Sequence, residues 1–274
     1  MRPTLCAVGA FLFVTAGCTK QGAPPQAGPN MVTITAADFA FGMPDTIPAG
    51  LTTVRLVNLG PSLHHVQFIR IDSGRTYDSL MAALRNPGPP PAWATFVPGP
   101  NPPAPGDSSD LTVTLTAGHY AALCFVPDSA MVPHFVHGMV HPLEVTGSAT
   151  AAAEPAADIE IHLTDYTFTE SVPLTAGRHV IKIVNDGPQP HEMFLARLDS
   201  GTTAQGLVDW VAHGMHGRPP ARPLGGSSAM AVGAHALFPV TLTPGDYGLY
   251  CFWPDIHDGK EHVQHGMLKQ IHVS

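Results

Sequence analysis

The chain of 274 residues carries one pattern twice, and this duplication constrains its fold more than any other feature. Identical residues recur at a constant offset of 127 as far as Cys124 and Cys251, and at an offset of 128 after these cysteines. Examples of such pairs are Asp38 and Asp165, Asn58 and Asn185, His64 and His191, and Cys124 and Cys251. A repeat of this length matches an ordinary domain, so the sequence predicts two similar domains in tandem.

The repeat also predicts where the chain divides. The segment between the two copies is rich in alanine, and the segment before the first copy is rich in proline, glycine and glutamine, which is typical of a flexible tether. The predicted parts are a signal peptide at 1–17, a tether at 18–30, a first domain at 31–146, a linker at 147–157 and a second domain at 158–274.

The N-terminus has the pattern of a secretory signal. Arg2 precedes an apolar stretch at 10–14, which is too short to remain as a membrane-spanning helix. The segment 15–18 resembles a bacterial lipobox, in which Cys18 would carry the lipid, although Thr15 is atypical there and simple cleavage near Gly17 stays an alternative. We therefore expect a location in the periplasm or cell envelope, with the membrane reached only through a lipid anchor.

Composition favours many turns and short strands. The chain has 27 glycines and 29 prolines, and only 12% of its residues are charged. Its formal net charge is -8 and it has no basic cluster, so nucleic acid is excluded as a partner. Apolar residues mostly alternate in short runs such as 32–35 and 111–115, which predicts β-strands.

One segment in each copy has a helical spacing of apolar residues. It covers 76–85 in the first copy, with Leu80 and Leu84, and recurs around Leu207 and Val211 in the second. Proline-rich loops are predicted to follow at 87–105 and 219–226. The predicted fold is therefore all-β, with two tandem β-sandwiches that each carry a short helical insertion.

Two cysteines, Cys124 and Cys251, lie in the repeated part of the chain. In an oxidising compartment they either form one disulfide or belong to two separate sites. Because a disulfide would require equivalent residues of both copies to meet in a narrow geometry, the repeat favours two sites.

Each copy combines these cysteines with other metal-binding residue types. An early histidine follows an asparagine-containing turn, and the cysteine precedes the motif His-x-x-His-Gly-Met. Thiolate, imidazole and thioether together suit copper, and two histidines, one cysteine and a weak axial methionine form electron-transfer copper sites.

The second copy, with Asn185 to His191 followed by Cys251, His262 and Met267, resembles the plastocyanin/azurin group of cupredoxins. The first copy matches it with Asn58 to His64. The resemblance implies a Greek-key β-sandwich and one copper per domain, up to two in the chain. The implied ligands are His64, Cys124, His134 and Met139 in the first copy, and His191, Cys251, His262 and Met267 in the second.

The loop between cysteine and histidine departs from that family. It contains nine residues in the first copy and ten in the second, more than in small blue copper proteins. His137 and His265 therefore stay rival ligands, and His257 is a further candidate in the second copy. His134 and His262 are preferred because His-x4-Met matches the plastocyanin-like spacing.

The predicted function is one-electron transfer through type 1 copper, with a redox protein as donor or acceptor. The alternatives are copper storage, delivery or resistance with a copper-delivery partner, and a metal-free envelope module. An enzyme is not expected, because the cysteines have no flanking histidines and the chain lacks His-x-His pairs. The residues beside the cysteines are Leu123, Phe125, Tyr250 and Phe252.

Overall fold

The computed structural model describes Met1 and residues 28–85, 91–150 and 152–274. The predicted signal peptide after Met1, the predicted lipid-attachment residue Cys18 and most of the tether lie outside the described residues. Within the described ranges, no helix has the length and apolar character needed to cross a membrane.

The two halves contain the same elements in the same order. The first half has β1 (Asn30–Ala37), β2 (Ala40–Gly42), β3 (Thr46–Asn58), β4 (Gln67–Ile71), α1 (Tyr77–Leu84), β5 (Ala94–Val97), β6 (Ser108–Leu115), β7 (Gly118–Leu123), a 3-10 helix (His134–His137) and β8 (Val140–Thr150). The second has β9 (Ile159–Thr164), β10 (Thr167–Glu170), β11 (Gly177–Asn185), β12 (His191–Leu198), α2 (Ala204–Ala212), β13 (Ala221–Met230), β14 (His235–Leu242), β15 (Gly245–Tyr250), a 3-10 helix (His262–His265) and β16 (Leu268–Val273).

The predicted all-β fold class with short helical insertions is confirmed by these elements. Each helix starts at a threonine whose hydroxyl accepts a backbone N–H of the first turn, Thr76 from Ser79 and Thr203 from Gly206. Each helix buries leucine on one face, namely Leu80 and Leu207, so it covers one side of its half.

The proline-rich segments differ from the prediction, because each contains a strand instead of a continuous loop. β5 and β13 are the last strands of their sheets, beside β4 and β12. The other side of β13 is covered by the segment 99–104 of the first half, with isolated bridges at Pro100 and Pro103. On the side of β13 away from β12, the carbonyl of Pro223 accepts the N–H of Ala104 at 3.2 Å.

Strand pairing links the halves. In the second half, one sheet has the order β10-β9-β11-β14 and the other has β13-β12-β15-β16. In the first half, β3 pairs with both β6 and β8 and so joins the corresponding strands into one sheet. β14 then pairs with β6 at Leu237 and Thr112, which extends this sheet across both halves. β8 continues into the predicted linker as far as Thr150.

The buried clusters reach the predicted ligands. Cys124 and Met139 belong to the apolar cluster around β1, β3 and β7, where Ile34 and Leu56 are fully buried. In the second half, Cys251 and Met267 also lie inside an apolar cluster. The cysteine and methionine of each half are therefore shielded from water by its hydrophobic core.

Candidate metal centres

A buried asparagine shapes the turn before the first histidine of each half. In the first half, Asn58 donates to the carbonyl of Ser62 at 2.8 Å and accepts from the N–H of Gly60 at 3.1 Å. In the second, Asn185 donates to the carbonyl of Gln189 at 3.0 Å and accepts from the N–H of Gly187 at 3.0 Å. These bonds close the turn and fix the path of the backbone into the histidine.

The glycine of each turn makes room for the imidazole. A Cβ on Gly60 would lie 2.9 Å from Nε2 of His64, and one on Gly187 would lie 2.5 Å from Nε2 of His191. Such distances are too short for non-bonded atoms, so the close approach of the ring requires glycine at both positions.

The remaining ligand candidates come from one loop that begins where β7 or β15 ends. The N–H of Cys124 donates to the carbonyl of Met139 at 3.2 Å, and the N–H of Phe135 donates to the carbonyl of Cys124 at 2.9 Å. The 3-10 helix ends at His137 and is followed by Gly138, whose φ of 100° favours glycine. The second half repeats this loop, with the Cys251 N–H on the Met267 carbonyl at 3.2 Å.

The structure brings the histidines and the cysteine of each half together. In the first, Nδ1 of His64 and Nδ1 of His134 are 3.2 Å apart, and Sγ of Cys124 is 3.6 Å from the latter. In the second, Nδ1 of His191 and Nδ1 of His262 are 3.0 Å apart, and Sγ of Cys251 is 3.2 Å from the latter. Both sets are buried and hold their ligand atoms within 4.8 Å of one another.

An aspartate orients the first histidine of each set. Nε2 of His64 lies 2.8 Å from Oδ1 of Asp38, and Nε2 of His191 lies 2.7 Å from Oδ1 of Asp165. A carboxylate on Nε2 places the ring proton there and leaves the lone pair of Nδ1 facing the cysteine. The sequence did not indicate this role, although Asp38 and Asp165 occupy equivalent positions of the repeat.

Burial keeps the imidazoles neutral. Loss of solvation lowers the pKa of His134 and of His262 to about 4, and the neighbouring histidine of each pair adds to the effect. The pKa of His64 and that of His191 are also lowered by burial, against the opposing influence of their aspartates. All four rings can therefore offer a lone pair to a metal at neutral pH.

The sulfur atoms are surrounded by backbone donors. Burial raises the pKa of Cys124 to about 12, while N–H groups of His65 and Val126 oppose that rise. Burial likewise raises the pKa of Cys251, whose Sγ accepts the Glu192 N–H at 3.3 Å. Each thiol is thus protonated without metal, and the N–H groups are placed to stabilise the thiolate that a metal would bind.

The rival histidines lie outside both sets. His137 pairs with Asp128 at 2.9 Å, and His265 pairs with Asp258 at 3.2 Å. His257 is exposed, and its backbone N–H donates a hydrogen bond to Oδ1 of Asp255. Each half has one such 3-10 helix. Its first residue, His134 or His262, faces inward, and its last residue, His137 or His265, lies at the surface.

An aromatic residue covers the second histidine of each set. The ring of Phe39 lies 5.0 Å from that of His134, and the ring of Tyr166 lies 5.3 Å from that of His262. The second set has an additional carboxylate, since Oδ2 of Asp255 lies 3.8 Å from Nε2 of His262. The two centres are therefore similar but not identical.

The residues present fit copper. Each set offers two neutral imidazoles and one thiol that becomes a thiolate on metal binding, with a buried methionine in the same loop. Thiolate favours Cu(I), imidazole serves both oxidation states, and this donor set is typical of electron-transfer copper sites.

No protein-family model and no curated protein matches this sequence. Among solved structures, the chain is similar to dithionite-reduced auracyanin from Roseiflexus castenholzii, with 21% identity over 44% of this chain and 100% of that chain, at a TM-score of 0.31. A multicopper oxidase matches with 12% identity over 89% of this chain and 88% of that chain, at a TM-score of 0.25. A copper-containing nitrite reductase from Thermus scotoductus matches with 11% identity over 89% and 61%, at a TM-score of 0.23.

These comparisons correct one prediction. The expectation that the protein is not an enzyme is wrong, because the solved structures that span about nine-tenths of this chain include a multicopper oxidase and a nitrite reductase. That expectation rests only on two features that the sequence lacks, namely histidines beside the cysteines and His-x-His pairs. Their absence excludes one way of joining a blue copper site to further copper, and it does not exclude catalysis.

Proposed function

We propose that this protein binds copper at both centres and transfers single electrons through them. The observation that carries the proposal is the convergence, twice in one chain, of two buried imidazole Nδ1 atoms and one cysteine sulfur. The proposed ligands are His64, Cys124, His134 and Met139 in the first half, and His191, Cys251, His262 and Met267 in the second.

The protein would hold these donors in place before a metal arrives. Asp38 and Asp165 orient the first imidazole, and the hydrogen-bonded loop fixes cysteine and second histidine together. Bound copper would supply a couple between Cu(I) and Cu(II). Because the donors are packed in an apolar core, they would move little between the two states, which favours fast transfer of an electron.

Copper loading of the soluble body, residues 30–274, tests the proposal. We expect two coppers per chain and an intense thiolate-to-copper band in visible absorption. Cys124→Ser and Cys251→Ser should each remove one copper centre, and the double variant should remove the band entirely. An unchanged metal content and spectrum in the double variant would contradict the proposed ligands.

Copper storage, delivery or resistance predicts a different outcome of the same experiment. A storage or delivery protein should release copper readily to a chelator, whereas a redox protein should retain it through repeated cycles of oxidation and reduction. The burial of both donor sets supports retention, because a chelator cannot reach the metal without opening the loop.

The partner and the location are part of this proposal. We propose a redox protein as donor or acceptor and a place in the periplasm or cell envelope, supported by the signal pattern at 1–17. Mass determination of the mature N-terminus would distinguish a lipid on Cys18 from simple cleavage near Gly17.

A further inference from the structure

Three buried polar side chains lie at the contact between the two halves. His65 and Glu192 each follow the first histidine of their centre and occupy equivalent positions of the repeat, and Asn101 lies between β5 and β6. Their exposed fractions are 6%, 6% and 1%. Burial of polar groups costs free energy unless they are hydrogen-bonded, so their partners are informative.

These side chains form one continuous row of hydrogen bonds. The N–H of Phe125 donates to Nε2 of His65 at 2.8 Å, so the proton of the neutral ring lies on Nδ1, which donates to Oδ1 of Asn101 at 3.3 Å. Nδ2 of Asn101 lies 3.5 Å from Oε2 of Glu192, whose Oε1 accepts the N–H of Phe252 at 2.8 Å. The row thus runs from the residue after Cys124 to the residue after Cys251.

Both ends of the row also contact the ligand sulfurs. The backbone N–H of Glu192 donates to Sγ of Cys251 at 3.3 Å. The backbone N–H of His65 is likewise a hydrogen-bond donor to Cys124. His65 and Glu192, at the two ends of this row, are therefore also donors to the two sulfurs.

Aromatic packing encloses this contact. The ring of Trp253, two residues after Cys251, lies 5.8 Å from the ring of Phe125, which follows Cys124. The same ring packs against Phe96 at 4.8 Å, and Trp253 is 8% exposed. These rings exclude water, which strengthens the hydrogen bonds of the row. The contact between Trp253 and Phe125 also joins the segments that follow the two cysteines.

We propose that the hydrogen-bonded bridge His65–Asn101–Glu192 couples the two metal centres, so that they exchange one electron within a single chain. The inference rests on the proposed function. With copper bound at both centres, one centre would pass from Cu(I) to Cu(II) as the other passes from Cu(II) to Cu(I), with no bond formed or broken and no proton transferred. The three bridging residues act as positioning residues for this exchange.

The second centre is placed to have the lower reduction potential. Asp255 lies 3.8 Å from the second ligand histidine, His262, whereas the equivalent Asp128 pairs with His137 at the surface. A nearby negative charge stabilises the more positive oxidised state. The electron of a half-reduced chain should therefore reside on the first centre.

Pulse reduction with less than one electron per molecule tests the bridge in the copper-loaded soluble body. The Cys124→Ser and Cys251→Ser variants supply the reference spectrum and potential of each centre, and Met139→Leu separates the two signals if they overlap. We expect an exchange phase whose rate is independent of protein concentration, and a lower potential in the Cys124→Ser variant, which keeps only the second centre.

Asn101→Leu breaks the bridge and should slow the exchange by about tenfold or more, the size of effect that loss of an outer partner of a metal site can have. Ser228→Ala is the matched control, because it removes the bond from the Gly99 N–H to Ser228, 2.9 Å long and also between the halves, without touching the bridge. This control should leave the rate unchanged.

A second pair of variants keeps the test decisive if Asn101→Leu does not hold two coppers. His65→Leu should slow the exchange, whereas His65→Gln should restore it, because a glutamine amide can accept from Phe125 and donate to Asn101. Equal rates in wild type, Asn101→Leu and His65→Leu would overturn the bridge while leaving the proposed function intact. A wild-type protein without a thiolate-to-copper band would instead overturn the proposed function.

Discussion

Protonation of the ligand residues decides how each centre takes up metal. Burial raises the pKa of Cys124 to about 12 and lowers that of His134 to about 4, so the metal-free site at neutral pH contains one thiol and neutral imidazoles. A metal must therefore displace a proton from sulfur and from no other ligand of this site.

This protonation state predicts release of about one proton per copper bound at neutral pH. Between the two pKa values, copper affinity should rise by about tenfold per pH unit, because the displaced proton is less available at higher pH. Calorimetry in buffers of different ionisation enthalpy measures the protons released. Release of two or more protons per site would show that a ligand histidine is charged before binding.

The turn glycines act at the same scale. Gly187→Ala would place a Cβ 2.5 Å from Nε2 of His191, so the ring must move away from Asp165 and from the centre. We expect the copper content to fall from two to one per chain, with the first centre unaffected. Gly206→Ala, whose Cβ would meet the nearest side-chain atom at 3.7 Å, should retain two coppers.

At the scale of elements, a tyrosine closes the turn that leads into each cysteine strand. The hydroxyl of Tyr247 donates to the carbonyl of Thr243 at 2.8 Å and accepts its N–H at 2.9 Å. The hydroxyl of Tyr120 donates to the carbonyl of Thr116 at 2.9 Å. Both tyrosines thus hold the start of β15 and β7, which is a structural role.

Tyr247→Phe should lower the free energy of unfolding by about 2 kcal/mol, because the Thr243 N–H and carbonyl lose their shared partner. The copper spectrum should not change, since the lost hydroxyl bonds to the turn before β15 and the ligand Cys251 follows the other end of that strand. Urea unfolding measures the first effect and visible absorption the second. Tyr120→Phe is the matched variant in the first half, and a changed spectrum in either would contradict a structural role.

At the scale of the whole molecule, the contact between the halves contains a buried acid. Burial raises the pKa of Glu192 to about 7, with Glu261 adding to the rise. Between pH 4.5 and 7 the folded protein keeps a proton that the unfolded chain has released. Stability is therefore lost as the pH rises through this window.

Glu192→Gln should flatten this dependence in the metal-free protein. Wild type should lose about 3 kcal/mol more than the variant between pH 4.5 and 8, the value expected for a pKa raised from 4.5 to about 7. The difference between the two proteins isolates Glu192, because the titration of His65 is common to both. Urea unfolding at several pH values measures it, and parallel curves would show that the acid is not protonated by burial.

The sequence alone was sufficient for features that local spacing expresses. The repeat predicted the matching order of elements in the two halves, and apolar periodicity predicted the strands and both helices. The order of histidine, cysteine and histidine pointed to residues whose ligand atoms lie within 4.8 Å of one another, because these residue types come from one turn and one loop in each half. Edge strands β5 and β13 were missed, because proline obscures a strand pattern.

Only the tertiary structure decided how these segments meet. His134 and His137 lie on the same short 3-10 helix and both pack against Phe39, but of the two it is His134 that is buried beside His64 and Cys124. Asp38 acts on His64 from a different element of the fold. Asn101 lies in a proline-rich segment without a recognisable pattern, and it reaches Glu192 because the segment 99–104 pairs with β13 of the second half. Such contacts depend on the convergence of residues distant in sequence, which spacing along a chain does not encode.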